Sequence, residues 1–260
     1  MTTVDTAPGT HRAGPGTAGQ IMRSQAASSV LLALVALLVW QVASGLSFVI
    51  PSPASTAAAL ADNLGSTEYL REAGETAQAV LQAFLIGSVI GAFLGLLLGL
   101  SAAARTWLEP LVIAFNGVPK IVLYPVLLPI FSLSGSKIVM GVLFALFPIL
   151  INVAAGVREI PAVYWKLGRT VQASRLQMLV HIVLPSIRLP VLTGVRLAVS
   201  LAVVGVVLSE FFATKIGLGR VVLQAYSHGR YAEMVATILL LIVVAFAVSM
   251  ALWRLERKVR

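Results

Sequence analysis

The chain has no cysteine in 260 residues, which excludes disulfides, thiolate metal sites and a cysteine nucleophile. Its three histidines, His11, His181 and His228, lie too far apart for metal-ligand spacing. No segment matches G-x-x-x-x-G-K-[ST], the loop that cradles nucleotide phosphates, so no cofactor is expected on this chain. Charge is also scarce. Only 11% of residues are charged, whereas soluble domains carry roughly 25%, so the chain cannot cover a soluble surface. No acidic pair at useful spacing is present, which argues against a membrane-embedded enzyme.

What is present is apolar: 58% of residues are hydrophobic and mean hydropathy is +0.95. An all-α integral membrane protein follows, with about six spans. They are expected at residues 29–50, 77–100, 108–131, 138–157, 189–212 and 234–253. Residues 1–25, rich in Thr, Ala, Gly and Pro, read as a disordered cytoplasmic tail, leaving 26–260 as the transmembrane domain. Residues 54–76 carry Asp62, Glu68, Arg71, Glu72 and Glu75 and read as an interfacial segment.

Gly87, Gly91, Gly95 and Gly99 recur every four residues along one helix face. That face is either a seam for close helix packing or a groove for substrate. The stretch 108–131 contains Pro110, Pro119, Pro125 and Pro129, with Asn116 and Lys120 between them. Broken backbone at membrane depth requires protein or a water-filled cavity beside it. Residues 132–136 read as the outer turn that follows.

The formal charge of +9 lies beside apolar runs, which suits topology and lipid headgroups better than nucleic acid. With both termini in the cytoplasm, the inner segments hold most of the Lys and Arg. The outer ones keep only Arg71, Lys137, Lys215, Arg220 and Arg230. This is the bias of the positive-inside rule, and it places residues 158–188 inside. Three charges fall within spans. Lys120 either meets an anionic substrate or snorkels and pairs, Glu210 either faces a cavity or forms a structural pair, and Arg196 is expected to snorkel inward.

The inner stretch 158–185 reads REIPAVYWKLGRTVQASRLQMLVHIVLP. A helix is expected over 166–180, lying along the cytoplasmic surface, with Leu167, Val171 and Met178 near one face. The stretch is either a topology-setting loop or a docking surface for a soluble partner.

Its pattern resembles the EAA loop of ABC importer permeases, which reads E-A-A, three residues, Gly, nine residues, I-x-L-P. Lys166, Leu167 and Gly168 occupy the E-A-A position, Gln172 that of the glycine, and Ile182 to Pro185 match I-x-L-P. The run QASRLQMLVHIVLPSIRLPVLTGVRLA is similar to the nitrate/sulfonate/taurine branch of the binding-protein-dependent family. So are IPSPASTAAAL, VPKIVLYPVLLPIFSLSGSKI and LSEFFATKIGLG, in that order. Lys166 and Gln172 depart from the pattern. Glutamine adds bulk and disfavours the positive φ that glycine permits, so the docking helix is either reshaped or tuned to its own ATPase.

The resemblance implies a type I ABC importer permease fold in a bacterial cytoplasmic membrane. It implies a coupling helix that seats in a separate ATPase, present in two copies with ATP and Mg. It also implies a second permease copy, forming a homodimer, and an extracytoplasmic substrate-binding protein. The coupling residues would be Lys166, Leu167, Gly168, Gln172, Ala173, Ser174, Arg175, Gln177, Ile182, Leu184 and Pro185. The translocation cavity would include Asn116, Lys120, Tyr124 and Glu210. The expected function is to pass a small anionic solute; the alternative is a stand-alone secondary transporter with no ATPase partner.

Overall fold

The structure is a computed structural model that describes residues 15–213 and 215–259. Among the described residues it is helical, without strands. In order the helices are α1 (Pro15–Leu46), α2 (Pro53–Gly65), α3 (Thr67–Leu100) and α4 (Ala102–Gly117). Then come a 3-10 turn (Lys120–Leu123), α5 (Tyr124–Arg158), α6 (Ala162–Thr170) and α7 (Arg175–Met178). A π-helical turn (Leu179–Val183) leads to α8 (Leu184–Ser186), α9 (Arg188–Ala213), α10 (Leu218–Ser227) and α11 (Tyr231–Val259). The described residues fall into two compact units that divide between Ser55 and Thr56.

Five helical stretches are long and apolar enough to cross a membrane: Ala27–Leu46, Thr67–Leu100, Lys120–Arg158, Arg188–Phe212 and Tyr231–Arg254. The third expected span, 108–131, is not one helix. Helix α4 has 16 residues, about 24 Å of rise, short of a hydrocarbon core of roughly 30 Å. Val118 and Pro119 interrupt the chain before the 3-10 turn. The expected outer turn at 132–136 is instead a kink inside α5, made by Ser132 at φ 60, ψ 180, a conformation populated almost solely by glycine.

The N-terminal expectation also shifts. Residues 1–14 of the expected tail lie outside the described residues, and from Pro15 the chain is helical. In this first unit the Trp40 indole donates to the Pro51 carbonyl at 2.9 Å, tying the end of α1 to the turn after it.

In the second unit α5 packs between α3 and α9. The four glycines of α3 face α5, so the spacing is a packing seam. A Cβ on Gly91 would stand 2.6 Å from the Leu146 carbonyl oxygen, and one on Gly95 2.7 Å from that of Leu150. Neither position admits a side chain, and backbone–backbone approach of this kind is what small-residue faces allow. On the other side of α5, a Cβ on Gly205 of α9 would come within 3.0 Å of the Gly141 Cα. Ala145, Ile149, Val153, Ala198 and Ala202 fill the core between these seams.

Candidate functional site

Three polar regions interrupt the apolar unit. The first is a cavity of about 380 Å³ among α4, the 3-10 turn, α5 and α9. Lys120 stands on its wall and donates from Nζ to the backbone and side-chain oxygens of Asn116, both at 3.3 Å. The same Nζ lies 4.7 Å from the ring centroid of Phe147 and 5.7 Å from that of Phe144, within range of cation–π attraction. None of the ion pairs among the described residues includes Lys120. Pro148 has no N–H, so the Phe144 carbonyl lacks its helical donor at i+4. One turn on, the Asn152 amide donates to the Pro148 carbonyl at 2.8 Å. Polar backbone therefore sits beside a cavity, as broken helices at this depth require.

The second region is buried. Glu210 of α9 pairs with Lys137 of α5 at 3.2 Å, with 0% and 4% of their side chains exposed. Thr76 Oγ1 lies 3.1 and 3.0 Å from the two Glu210 oxygens and donates its one proton there. Glu72 of α3 accepts from Arg220 and from the Gly217 N–H. Three successive backbone N–H groups at the start of α10 are thereby satisfied: Gly217 by Glu72, Leu218 by Thr76 and Gly219 by Glu210. Two carboxylates at a helix N-terminus also complement its dipole. Gly217 adopts φ +133, and a Cβ there would stand 2.1 Å from a Glu210 oxygen. The motif LSEFFATKIGLG is thus a carboxylate followed by the glycines that let the backbone close on it.

The structure brings Asn116 and Lys120 together in the cavity but places Tyr124 and Glu210 elsewhere. Tyr124 is 1% exposed, and its ring packs against Phe212 with centroids 6.1 Å apart. Glu210 belongs to the buried cluster, paired with Lys137. Arg196 reaches Glu256 of α11 at 3.4 Å, an ion pair in place of a free snorkel. Lys137, counted from sequence as an outer-loop cation, is buried. Glu72, assigned from sequence to an interfacial segment, lies inside α3, which begins at Thr67. Its charge is tolerated there because Arg220 and the Gly217 N–H meet it. Sequence reasoning missed Glu72, Thr76 and Arg220, whose partners are distant in the chain. It also missed Phe144, Phe147 and Asn152 in the cavity, although Pro148 and Asn152 four residues apart are a visible signal.

The third region is the loop 158–188. The single helix expected over 166–180 is two helices. Helix α6 ends in a Schellman turn: Gln172 N donates to Arg169 O at 3.1 Å and Ala173 N to Gly168 O at 2.9 Å. Gln172 holds the left-handed position at φ 52, usually a glycine. The glycine position of the resembled pattern is therefore a helix stop, and glutamine keeps the turn at a cost of about 1–2 kcal/mol. Ser174 then starts α7 with a capping box, accepting from Gln177 N at 3.3 Å while its own N–H donates to Gln177 Oε1 at 2.8 Å. Gly168 is buried beneath Met178, so Met178 does not share a face with the exposed Leu167 and Val171. Ile160, Val183 and Ile187 anchor the loop in the core, with Trp165 and Leu179 against them. Lys166, Leu167, Val171, Arg175, Leu176 and Val180 remain exposed. Ala173 and Ile182 are half-buried, Leu184 and Pro185 exposed.

Residues 87–260 match the family described as the binding-protein-dependent transport system inner membrane component. The chain belongs to this family. The permease is 34% identical over 199 residues to the riboflavin transport system permease protein RibX of Chloroflexus aurantiacus, covering 73% of this chain and 72% of the relative. It is 29% identical over 133 residues to the nitrate import permease protein NrtB of Leptolyngbya laminosa, covering 51% of this chain and 48% of the relative. Sulfonate and taurine permeases match too, which places it with the nitrate/sulfonate/taurine-type branch. The permease spans about half the length of the first curated relatives it matches. In fold it resembles the MetNI methionine ABC transporter, with a TM-score of 0.64 at 21% identity, covering 74% of this chain and 95% of that one. The chain is thus a multi-pass member of an inner-membrane transport family.

Proposed function

We propose that this permease is the translocating subunit of an ATP-driven importer for a small anionic solute. In this reading loop 158–188 seats in a separate ATPase, one copy for each of two permease chains, with both termini on the same cytoplasmic side. A binding protein delivers solute at the opposite face. ATP and Mg act on the ATPase, and closure of the two ATPases rocks the spans between inward-open and outward-open states.

The observation that carries the reading is the two-sided construction of the loop. One side is pinned into the core by Ile160, Val183 and Ile187. The other presents Leu167, Val171, Leu176 and Val180 among Lys166, Arg169 and Arg175. A loop that merely joined two spans would not need a capping box, a Schellman turn and a buried anchor. A push on the exposed side would pass directly to α5 and α9, the helices that line the Lys120 cavity. That cavity offers the solute a cation held by no carboxylate. The permeases in the comparison carry names from nitrate to riboflavin, so kinship leaves the cargo open and the cavity chemistry is the better guide.

Arg175→Glu and Ala173→Glu test the coupling assignment in cells expressing the complete importer. Each is expected to insert normally, to retain ATP hydrolysis, and to lower uptake by at least about tenfold, the effect of ~1.4 kcal/mol in coupling. Uptake at the wild-type rate in both would remove the loop from the coupling pathway. Co-purification of an ATPase with the intact protein separates this reading from a stand-alone secondary transporter.

A further inference from the structure

The Lys120 cavity is larger and more apolar than a small inorganic anion needs. Its volume, about 380 Å³, is an order of magnitude above the ~30 Å³ that one water occupies in the liquid. It falls in the range of pockets for organic ligands, which are mostly apolar with a few placed polar groups. The polar groups are Asn116 from α4, Lys120 from the 3-10 turn and Asn152 from α5. The remainder is Phe144, Phe147, Pro148 and aliphatic side chains of α5 and α9. An inorganic anion on Lys120 would leave the apolar part of this lining without a ligand contact.

We infer that the site takes an organic anion with a flat apolar body, its charged group on Lys120 and its body between the Phe144 and Phe147 rings and the aliphatic wall of Leu197 and Leu201. The inference rests on the importer reading and names the class of its solute. Lys120 is set for such a group. Its ammonium is held by Asn116 oxygens and by ring faces rather than by a carboxylate, so its positive charge is not cancelled. Aromatic rings present electropositive edges as well as negative faces, so a ring that flanks the ammonium also accommodates an anion beside it. Asn116 Oδ1 accepts from Lys120, which leaves the Asn116 amide N–H groups as donors for a second oxygen of the ligand. Asn152 uses one amide hydrogen on the Pro148 carbonyl and keeps the other.

The test uses the full chain in lipid nanodiscs with benzoate, its neutral counterpart benzamide, and nitrate, read by saturation-transfer NMR on the benzoate ring protons. Saturable benzoate binding is expected, with benzamide and nitrate each needing about tenfold higher concentration to displace it, since a lost charged hydrogen bond or a lost apolar body is worth at least that factor. Lys120→Gln should weaken benzoate about tenfold or more, whereas Lys120→Arg, which keeps the charge, should stay within about threefold. Phe147→Leu should weaken benzoate by about threefold to tenfold through loss of the ring contact while leaving nitrate unchanged. If nitrate displaces benzoate at equal concentration and Lys120→Gln abolishes both, the organic-body inference falls and the anion reading stands. If Lys120→Gln, eluting as a folded protein, binds benzoate like the wild type, the cavity inference and the anion reading both fall. An absence of saturable benzoate binding to the folded wild type overturns the inference outright.

Discussion

Lys120 and Lys137 stand on the same broken segment, one before the kink at Ser132 and one after it, yet they are treated in opposite ways. Lys137 is 3% exposed and gives its charge to Glu210, itself held by Thr76 and the Gly219 N–H. Removing a charge from water costs several kcal/mol, recovered only if the partner and the remaining hydrogen-bonding sites are all in place. Here they are. Lys120 has no carboxylate; it leans on amide oxygens and two ring faces at the edge of a void. A buried cation matched by a carboxylate is architecture, and one matched only by neutral groups beside a cavity is available to a ligand. In the importer reading proposed above, the difference separates the part of the molecule that holds its helices together from the part that would meet cargo.

The largest effect is expected where a buried carboxylate meets the cation. Lys137→Met leaves Glu210 buried without its cation and should lower stability by about 3–5 kcal/mol, seen as a fall in the thermal midpoint of the detergent-solubilised chain. The double variant Lys137→Met with Glu210→Gln removes both charges and should recover more than half of that loss. A double-variant loss equal to the sum of the Lys137→Met and Glu210→Gln single losses would show that the two groups are not coupled. A smaller loss, about 1–3 kcal/mol, is expected from Thr76→Val, which keeps shape but strands the Leu218 N–H and removes a donor from Glu210. Hydrogen exchange should quicken at residues 217–219 in that variant. Unchanged protection there would mean that Thr76 is not what closes the start of α10.

How much of this was legible beforehand depends on the range of the interaction. Periodicity within one helix is local, so the glycine ladder and the long apolar spans could be read directly. The broken third span could be read too, because proline acts on its own backbone. The buried cluster could not. Glu72 and Arg220 are 148 positions apart, and on its own Glu72 looks like a surface residue ahead of a span. Only the fold brings its partner to it and lets α3 start ten residues earlier than hydropathy suggests. The loop at 158–188 lies between these cases. Its amphipathic, basic character was plain, but a glutamine in the left-handed region is disfavoured locally, so a continuous helix was the natural expectation. The turn persists because the Gly168–Met178 contact and the Ser174 capping box hold its two sides.

The smallest stability effect should come from Lys120→Met, and it bears most directly on the comparison. The substitution keeps the length and apolar stem of the side chain and removes only the ammonium. What is lost in the folded state is two hydrogen bonds of 3.3 Å to Asn116 and the attraction to the rings. What is gained is the desolvation no longer imposed on a half-buried cation. For a partly exposed cation–π contact the net change is about 0.5–1 kcal/mol, so the thermal midpoint should stay close to wild type and well above that of Lys137→Met. The residue would then be dispensable to the fold, as a binding group should be. If Lys120→Met melts as early as Lys137→Met, the two lysines are alike after all. Lys120 would be a structural cation, and the cavity would have no charge to offer.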